Sequence, residues 1–274
     1  MAHPQIAAFA RLAKENASPT RLLYGQKTLL SRTMHDIRYD AVNDEIFVTN
    51  PFAQAIMVFR GGANGEEAPI RIIQGSKTQM DGPDRLDIDT VHNEIFIPEG
   101  NRILVYPRNG NGNVAPLRVI EDPDPKSRSV STVAVDPVHN LIIAGTNTGY
   151  QRGGSGGALL VFNRTDNGKV KPKALIQGPK TAIIRINQLQ VYSPKGWIVA
   201  AQPGRSDEQE PEGVYVGVWH VSDNGDVPPR WKIAGPKSVM KKPRGIVLDP
   251  KHKELIVADM RLNSVLTYSF PEIF

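Results

Sequence analysis

Apolar and polar residues alternate in short runs along almost the whole chain. The stretch Asp84-Arg85-Leu86-Asp87-Ile88-Asp89 alternates from residue to residue, the pattern of a strand with one packed face. After the turn Thr90–Asn93, a second run, Glu94-Ile-Phe-Ile-Pro-Glu99, reads as another strand. Gly100-Asn101 makes a tight turn into Arg102-Ile-Leu-Val-Tyr106. Asn109-Gly-Asn-Gly112 then supplies the positive φ angles of a hairpin turn, and Pro116-Leu-Arg-Val-Ile120 follows as a fourth strand. Helical periodicity is absent except over residues 4–14, which suit a short helix.

These four pieces recur. First strands are expected near residues 36–40, 85–89, 132–136, 188–192 and 245–249, and second strands near 45–50, 94–99, 141–146, 197–202 and 254–259. Third strands end in an aromatic at Phe59, Tyr106, Phe162, Trp219 and Tyr268. Fourth strands are expected near 70–74, 117–121, 174–177 and 230–234, with an early one at 21–24. A Gly or Asp followed two residues later by Lys-Thr or Lys-Ser marks each copy, with the lysines at Lys27, Lys77, Lys126, Lys180 and Lys237. A period of roughly 50 residues that fills the chain means one supersecondary unit has been copied, and no copy buries a core alone.

Repeated four-stranded units form a β-propeller with the first strand innermost. The segments Pro243-Arg-Gly-Ile-Val-Leu-Asp249, Glu254-Leu-Ile-Val-Ala-Asp259 and Ser264-Val-Leu-Thr-Tyr268 resemble the NHL-repeat family, in degenerate form over nearly the whole chain. That family includes binding modules, lyases and lactone or ester hydrolases. The expected fold is all-β, a single propeller domain over residues 1–274 with five blades, six being the alternative. Because the last copy stops after its third strand, Thr20–Tyr24 is expected to complete that blade and close the ring. Residues 1–17 are left over. Phe9 sits where a third strand has its aromatic, and Ser18-Pro-Thr-Arg21 matches Ala115-Pro-Leu-Arg118. This segment reads as an extra strand or short helix outside the ring, a strand pairing with a second molecule in a homodimer, or a truncated sixth blade.

Composition narrows the chemistry. The absence of Cys excludes disulfides, thiolate metal sites and a Cys nucleophile. No apolar run is long enough for a membrane-spanning helix. Met1-Ala-His-Pro4 shows no signal peptide, which leaves a cytoplasmic protein or one exported after processing. A net charge of +5 and a pI near 9.3 favour anionic partners, or simply solubility.

Loops that start the first strands and end the second strands share one face, so aligned copies place ten positions around the channel mouth. Second strands end at Asn50, Glu99, Thr146, Gln202 and Asp259. First strands start at His35/Asp36, Asp84/Arg85, Ser131/Thr132, Asn187/Gln188 and Arg244/Gly245. Polarity is shared by these positions but identity is not, as expected for one asymmetric ligand site or for a wet channel mouth. Glu99, Asp259, Asn50 and Asn187 offer hard oxygens suited to Ca²⁺ or Mg²⁺. The resemblance to lactonase-like propellers implies that such an ion would polarise a carbonyl and a bound water. Arg85 and Arg244 oppose a cation there, and they could pair with Glu99 and Asp259 instead. His35 is the one rim histidine and the candidate base; the resemblance to lyases would require more than one.

The five Lys-Thr/Ser loops read either as anion- or nucleic-acid-backbone contacts or as a turn repeated for structural reasons in each blade. Two connections, Asn147–Gly157 and Pro203–Gly213, are long and project from the rim face, as a lid or partner contact would. The expected function is a ligand- or partner-binding module at the channel mouth. A divalent-metal-dependent lactone or ester hydrolase is the alternative, and nucleic-acid or anion binding by the lysine loops a third.

Overall fold

The computed structural model describes residues 4–123, 129–147, 156–205 and 213–274. The alternating runs form antiparallel sheets arranged as five blades. Blade 1 is Ile37–Asp40, Glu45–Asn50, Ala55–Arg60 and Arg71–Gln74. Blade 2 is Asp87–Asp89, Glu94–Glu99, Arg102–Pro107 and Arg118–Glu121, stitched to blade 3 by a parallel pairing with Gly168–Lys169. Blade 3 is Ser129–Asp136, Leu141–Asn147, Ala158–Asn163 and Ala174–Ile176. Blade 4 is Gln188–Tyr192, Trp197–Pro203, Val214–His220 and Trp231–Ala234. Blade 5 has three strands, Pro243–Asp249, Glu254–Asp259 and Ser264–Ser269.

Repeated side chains turn out to lock repeated turns. The Asp that ends a first strand accepts hydrogen bonds from N–H groups two or three residues on, as Asp89 does from Val91 (2.9 Å) and His92 (3.0 Å). The other carboxylate oxygen holds the histidine ring: His92 on Asp89 at 2.6 Å, His139 on Asp136 at 2.8 Å, His252 on Asp249 at 2.7 Å. Three of the six histidines thus have a turn-closing duty.

The Lys-Thr/Ser loops are one-turn 3-10 helices, Gln26–Thr28, Ser76–Thr78, Pro179–Thr181 and Pro236–Ser238. In each, the buried hydroxyl donates to the Gly carbonyl, at 2.6 Å for Thr181 and Gly178. Asp226, in the hairpin loop between the third and fourth strands of blade 4, receives the N–H of Lys180, which follows blade 3, at 2.7 Å. Gly178 has φ of +138°, and a Cβ there would lie 2.4 Å from Asp226, so glycine is required twice over. The lysine side chains themselves are exposed. Lys126 lies outside the described residues.

Between successive blades the inward faces merge into apolar walls. Phe47, Ile56 and Val58 of blade 1 meet Ile97 and Leu104 of blade 2. Val105 meets Val133 and Leu160, Leu159 meets Leu189 and Ile198, and Val199 and Val216 meet Ile246 and Val257. Burial of this kind, at about 25 cal/mol per Å², is the main force holding the ring.

The fifth junction departs from the expected closure. Strands β1 (Gln5–Ala8) and β2 (Arg21–Tyr24) pair with each other as a separate two-stranded sheet; β2 does not complete blade 5. The reason lies in the register. Gln5 opposes Tyr24 as Ala55 opposes Gln74, so β1 takes a third-strand place and β2 the fourth-strand place beside it. The bridge from Leu23 to Gly65 repeats those from Ile73 to Gly112 and Ile176 to Gly225. Residues 5–8 are therefore extended rather than helical. Ile6 and Leu23 cover Val48, Met57 and Phe59 on the free face of blade 1. The hairpin is thus the outer half of a further blade whose inner two strands are missing among the described residues. Ile37 is 46% exposed, whereas its equivalents Leu86, Val133 and Leu189 are all 0%. Opposite it, Val247 and Val265 of blade 5 are also exposed.

Candidate functional site at the open junction

The channel axis is plugged by charge. Innermost strands carry Arg38 and Asp87 where blade 3 has Ala134 and blade 5 has Val247. Buried Arg38 donates to Asp36 (3.1 Å) and to Asp87 (3.2 Å). Gln188 of blade 4 reaches across to Asp36 at 2.7 Å and accepts from the N–H of Ile246 in blade 5 at 2.5 Å. Burial opposes the charge on Arg38, but Asp36 and Asp87 outweigh it and raise its pKa. Burial also pushes the Asp87 carboxyl up, against the pull of Arg38. The plug ties blades 1, 2, 4 and 5 together at the axis.

Above the plug lies the channel mouth. Asp84 holds the Nδ1 of His35. Arg85 donates to the carbonyls of His35 (2.9 Å) and Asn187 (3.1 Å). Asn187 exchanges hydrogen bonds with Arg244, donating to its carbonyl (2.6 Å) and accepting from its guanidinium (2.8 Å). His35 is pulled below the ordinary imidazole value by partial burial, then by the charges of Arg85 and Arg244, with Asp36 opposing. Arg85 is lowered by its own burial and by Arg38, while Asp36 opposes.

A cavity of about 1370 Å³ runs from this mouth down the open junction. Its upper end presents His35, Arg85, Arg185 and Arg244. Its wall is the uncovered face of blade 5, with Ile256, Ala258, Val265 and Thr267. The segment after β1 closes the lower end, where Arg11 is paired with Glu254 at 2.9 Å. The volume exceeds the roughly 300–1,000 Å³ common for small-molecule sites.

Residues that end the second strands have a shared local duty. Asn50 accepts from Ser31 and Thr33, Glu99 from the N–H groups of Asp81 and Gly82, and Gln202 from Ile184. Asp259 accepts from the N–H groups of Lys241 and Lys242, at 2.7 and 2.8 Å. Each pins the loop that enters its own blade. Buried Thr146 instead bonds Ala158 on the neighbouring strand. Their divergence is one task performed by different oxygens. The proposed metal set of Glu99, Asp259, Asn50 and Asn187 is divided among four blades; the first three are engaged within their own blades and Asn187 with Arg244 of blade 5. Among the described residues, the acid–imidazole group close enough to share an ion is Asp249, His252 and Glu254 in a turn of blade 5, where Arg11 neutralises Glu254. Most of the two long connections lies outside the described residues.

Sequence reasoning found His35, Asp84, Arg85, Asn187 and Arg244, which the fold brings together. It took Asp36 for a rim residue, whereas Asp36 belongs to the plug with Arg38, Asp87 and Gln188. It missed Arg185 and the uncovered wall of blade 5. Unlike charges at equivalent inner-strand positions were the available signal for the plug.

No family model matches this chain, and no curated protein matches it. Among solved structures, it is similar to the crystal structure of a putative 6-phosphogluconolactonase from Bacteroides uniformis ATCC 8492, with a TM-score of 0.57 at 15% identity. The match covers 86% of this chain and 66% of that one, so this chain spans just under two thirds of that structure's length. The likeness establishes a shared propeller fold.

Proposed function

We propose that the protein is a binding protein for an anionic ligand, bearing a carboxylate or phosphate, seated where the channel mouth meets the open junction. The supporting observation is the convergence of Arg85, Arg185 and Arg244 on one end of a large cavity, beside an imidazole whose pKa two of them depress. Guanidinium groups match planar and tetrahedral oxyanions, and partial burial strengthens each contact. The exposed lysines of the repeated loops are spread over separate blades and build no such convergence.

A second reading is favoured by the His35–Asp84 pair and by the fold's likeness to a structure described as a lactonase. Here a neutral His35, oriented by Asp84, takes a proton from water as that water attacks a lactone or ester carbonyl. Arg85 and Arg244 face the developing oxyanion, and His35 returns the proton to the ring or ester oxygen as the acyl C–O bond breaks. Ca²⁺ or Mg²⁺ is not needed for this version.

A thermal-shift series at fixed ionic strength tests the first reading. Sulfate or phosphate at a hundredfold excess over Kd stabilises by about 2.7 kcal/mol, and Arg244→Gln is expected to lose most of that rise. An equal rise in the variant, or none in the wild type, overturns it. A divalent-specific rise reversed by EDTA and abolished in Glu99→Gln would favour the metal-dependent hydrolase instead. Turnover of a lactone or ester panel that vanishes in His35→Gln would support the second reading.

A further inference from the structure

The open junction has a shape set by the repeat. In blades 1 to 4 every third strand lies between a second and a fourth strand. Strand β1 occupies a third-strand place with β2 on one side and, among the described residues, nothing on the other. Which backbone groups this leaves open follows from β2. Tyr24 donates its N–H to Gly65 at 2.9 Å, and Leu22 accepts from Gly65 at 2.7 Å, so these two residues bond away from β1. Their cross-strand partners Gln5 and Ala7 therefore turn their own N–H and C=O groups away from β2, toward the side on which a second strand would lie. In blade 1 the equivalent residues, Ala55 and Met57, face Asn50 and Val48 of the second strand.

We propose that the open junction is an acceptor for an extended β segment of a partner polypeptide, which adds to the free edge of β1 and fills the inner half of the incomplete blade. This rests on the anion-binding reading and names its ligand class. Three observations favour a polypeptide over a compact small molecule. The cavity, at about 1370 Å³, exceeds the range common for small ligands. A row of unpaired backbone groups is complemented by another backbone, as in strand addition to a sheet edge. Apolar side chains stay exposed on both sides of the junction, Val265 in the cavity wall and Val247 beside it from blade 5, and Ile37 from blade 1, suited to the alternate side chains of a strand.

Charge fixes the orientation. The added strand, like every second strand, runs antiparallel to its third-strand neighbour and ends at the channel mouth. Its carboxyl end therefore arrives at Arg85, Arg185 and Arg244. The partner segment is extended, apolar at alternate positions and acidic or free at its carboxyl terminus.

The test uses the full chain and a labelled synthetic peptide copying the inner strands of blade 5, residues 243–259, which end in Asp259. Saturable binding by fluorescence anisotropy is expected, at least tenfold tighter than a scrambled peptide of the same composition. Val265→Lys, on a side chain 68% exposed, should weaken binding at least tenfold while leaving the melting temperature almost unchanged. Ala7→Pro removes an N–H on the free edge, a position where an edge strand tolerates proline, and should act alike. Amidation of the peptide terminus with Asp259→Asn should weaken it several-fold. Binding no better than the scrambled peptide, or indifferent to Val265→Lys, overturns the proposal. If phosphate still stabilises the wild type through Arg244 while the peptide fails, the anion site stands and the strand acceptor falls.

Discussion

Blades 3 and 4 meet across a wall in which Leu159, Leu189, Ile198 and Trp219 are all fully buried; blades 5 and 1 meet across a cavity. Both junctions follow the same repeat, with the same turn locks and the same alternation. At the closed junction the alternation meets its complement, and side chains serve stability. At the open one the β1–β2 hairpin covers the outer part of blade 1, but among the described residues Ile37, Val247 and Val265 have no facing strand, and the polar residues above them gather into a site. The repeat builds the scaffold, and its interruption creates the place where a ligand fits.

The largest expected effect concerns the plug that carries the ring past its open junction. Arg38→Met leaves Asp36 and Asp87 buried without their cation and should cost about 3–5 kcal/mol, measured by urea denaturation. A cost near that of a surface substitution would show that the plug does not hold the blades. Next comes the comparison itself. Leu189→Ala should cost about 2–5 kcal/mol through lost burial and a residual cavity, whereas Val265→Ala should stay within about 0.5 kcal/mol. Equal costs would mean that the fifth junction is closed in solution.

The repeated loop separates in the same way. Thr78→Val removes the bond to Gly75 and the acceptor for Met80, an expected loss of about 1–2 kcal/mol, while Lys77→Ala changes stability by less than about 0.5 kcal/mol. The smallest effect is that of pH. His35 has a lowered pKa, so the native protein takes up its proton less readily than the unfolded chain. The resulting stability penalty is absent above about pH 6.5, grows as pH falls from there toward the lowered value and levels off below it. Sulfate affinity moves the opposite way, rising as His35 gains charge. Melting curves across that range, compared with His35→Gln, check both signs.

Much of this was legible in the residues. Alternation and the Asn-Gly turns placed the strands of every blade to within a few residues, because a one-residue slip in register would turn each apolar face outward. The cluster of His35, Asp84, Arg85, Asn187 and Arg244 was legible because equivalent positions of a repeat converge on one axis. Ring closure was misread. Counting assigned Thr20–Tyr24 to the last blade, but a fourth strand pairs with the third strand beside it, and Phe9 had already marked a nearer one. The second-strand ends read as ligand oxygens because their differences resemble specificity, and the sequence does not show their local duty. Only the hydrogen-bond partners show that Asn50, Glu99, Gln202 and Asp259 pin loops within their own blades.

Hydrogen–deuterium exchange, with and without phosphate, tests the central claim most directly. The account predicts fast exchange in β1 and Ser264–Ser269, strong protection in Ala158–Asn163 and Ile198–Ala201, and slowing by phosphate confined to residues around Arg85 and Arg244. Uniform protection across all five blades, with no local response to phosphate, would contradict it.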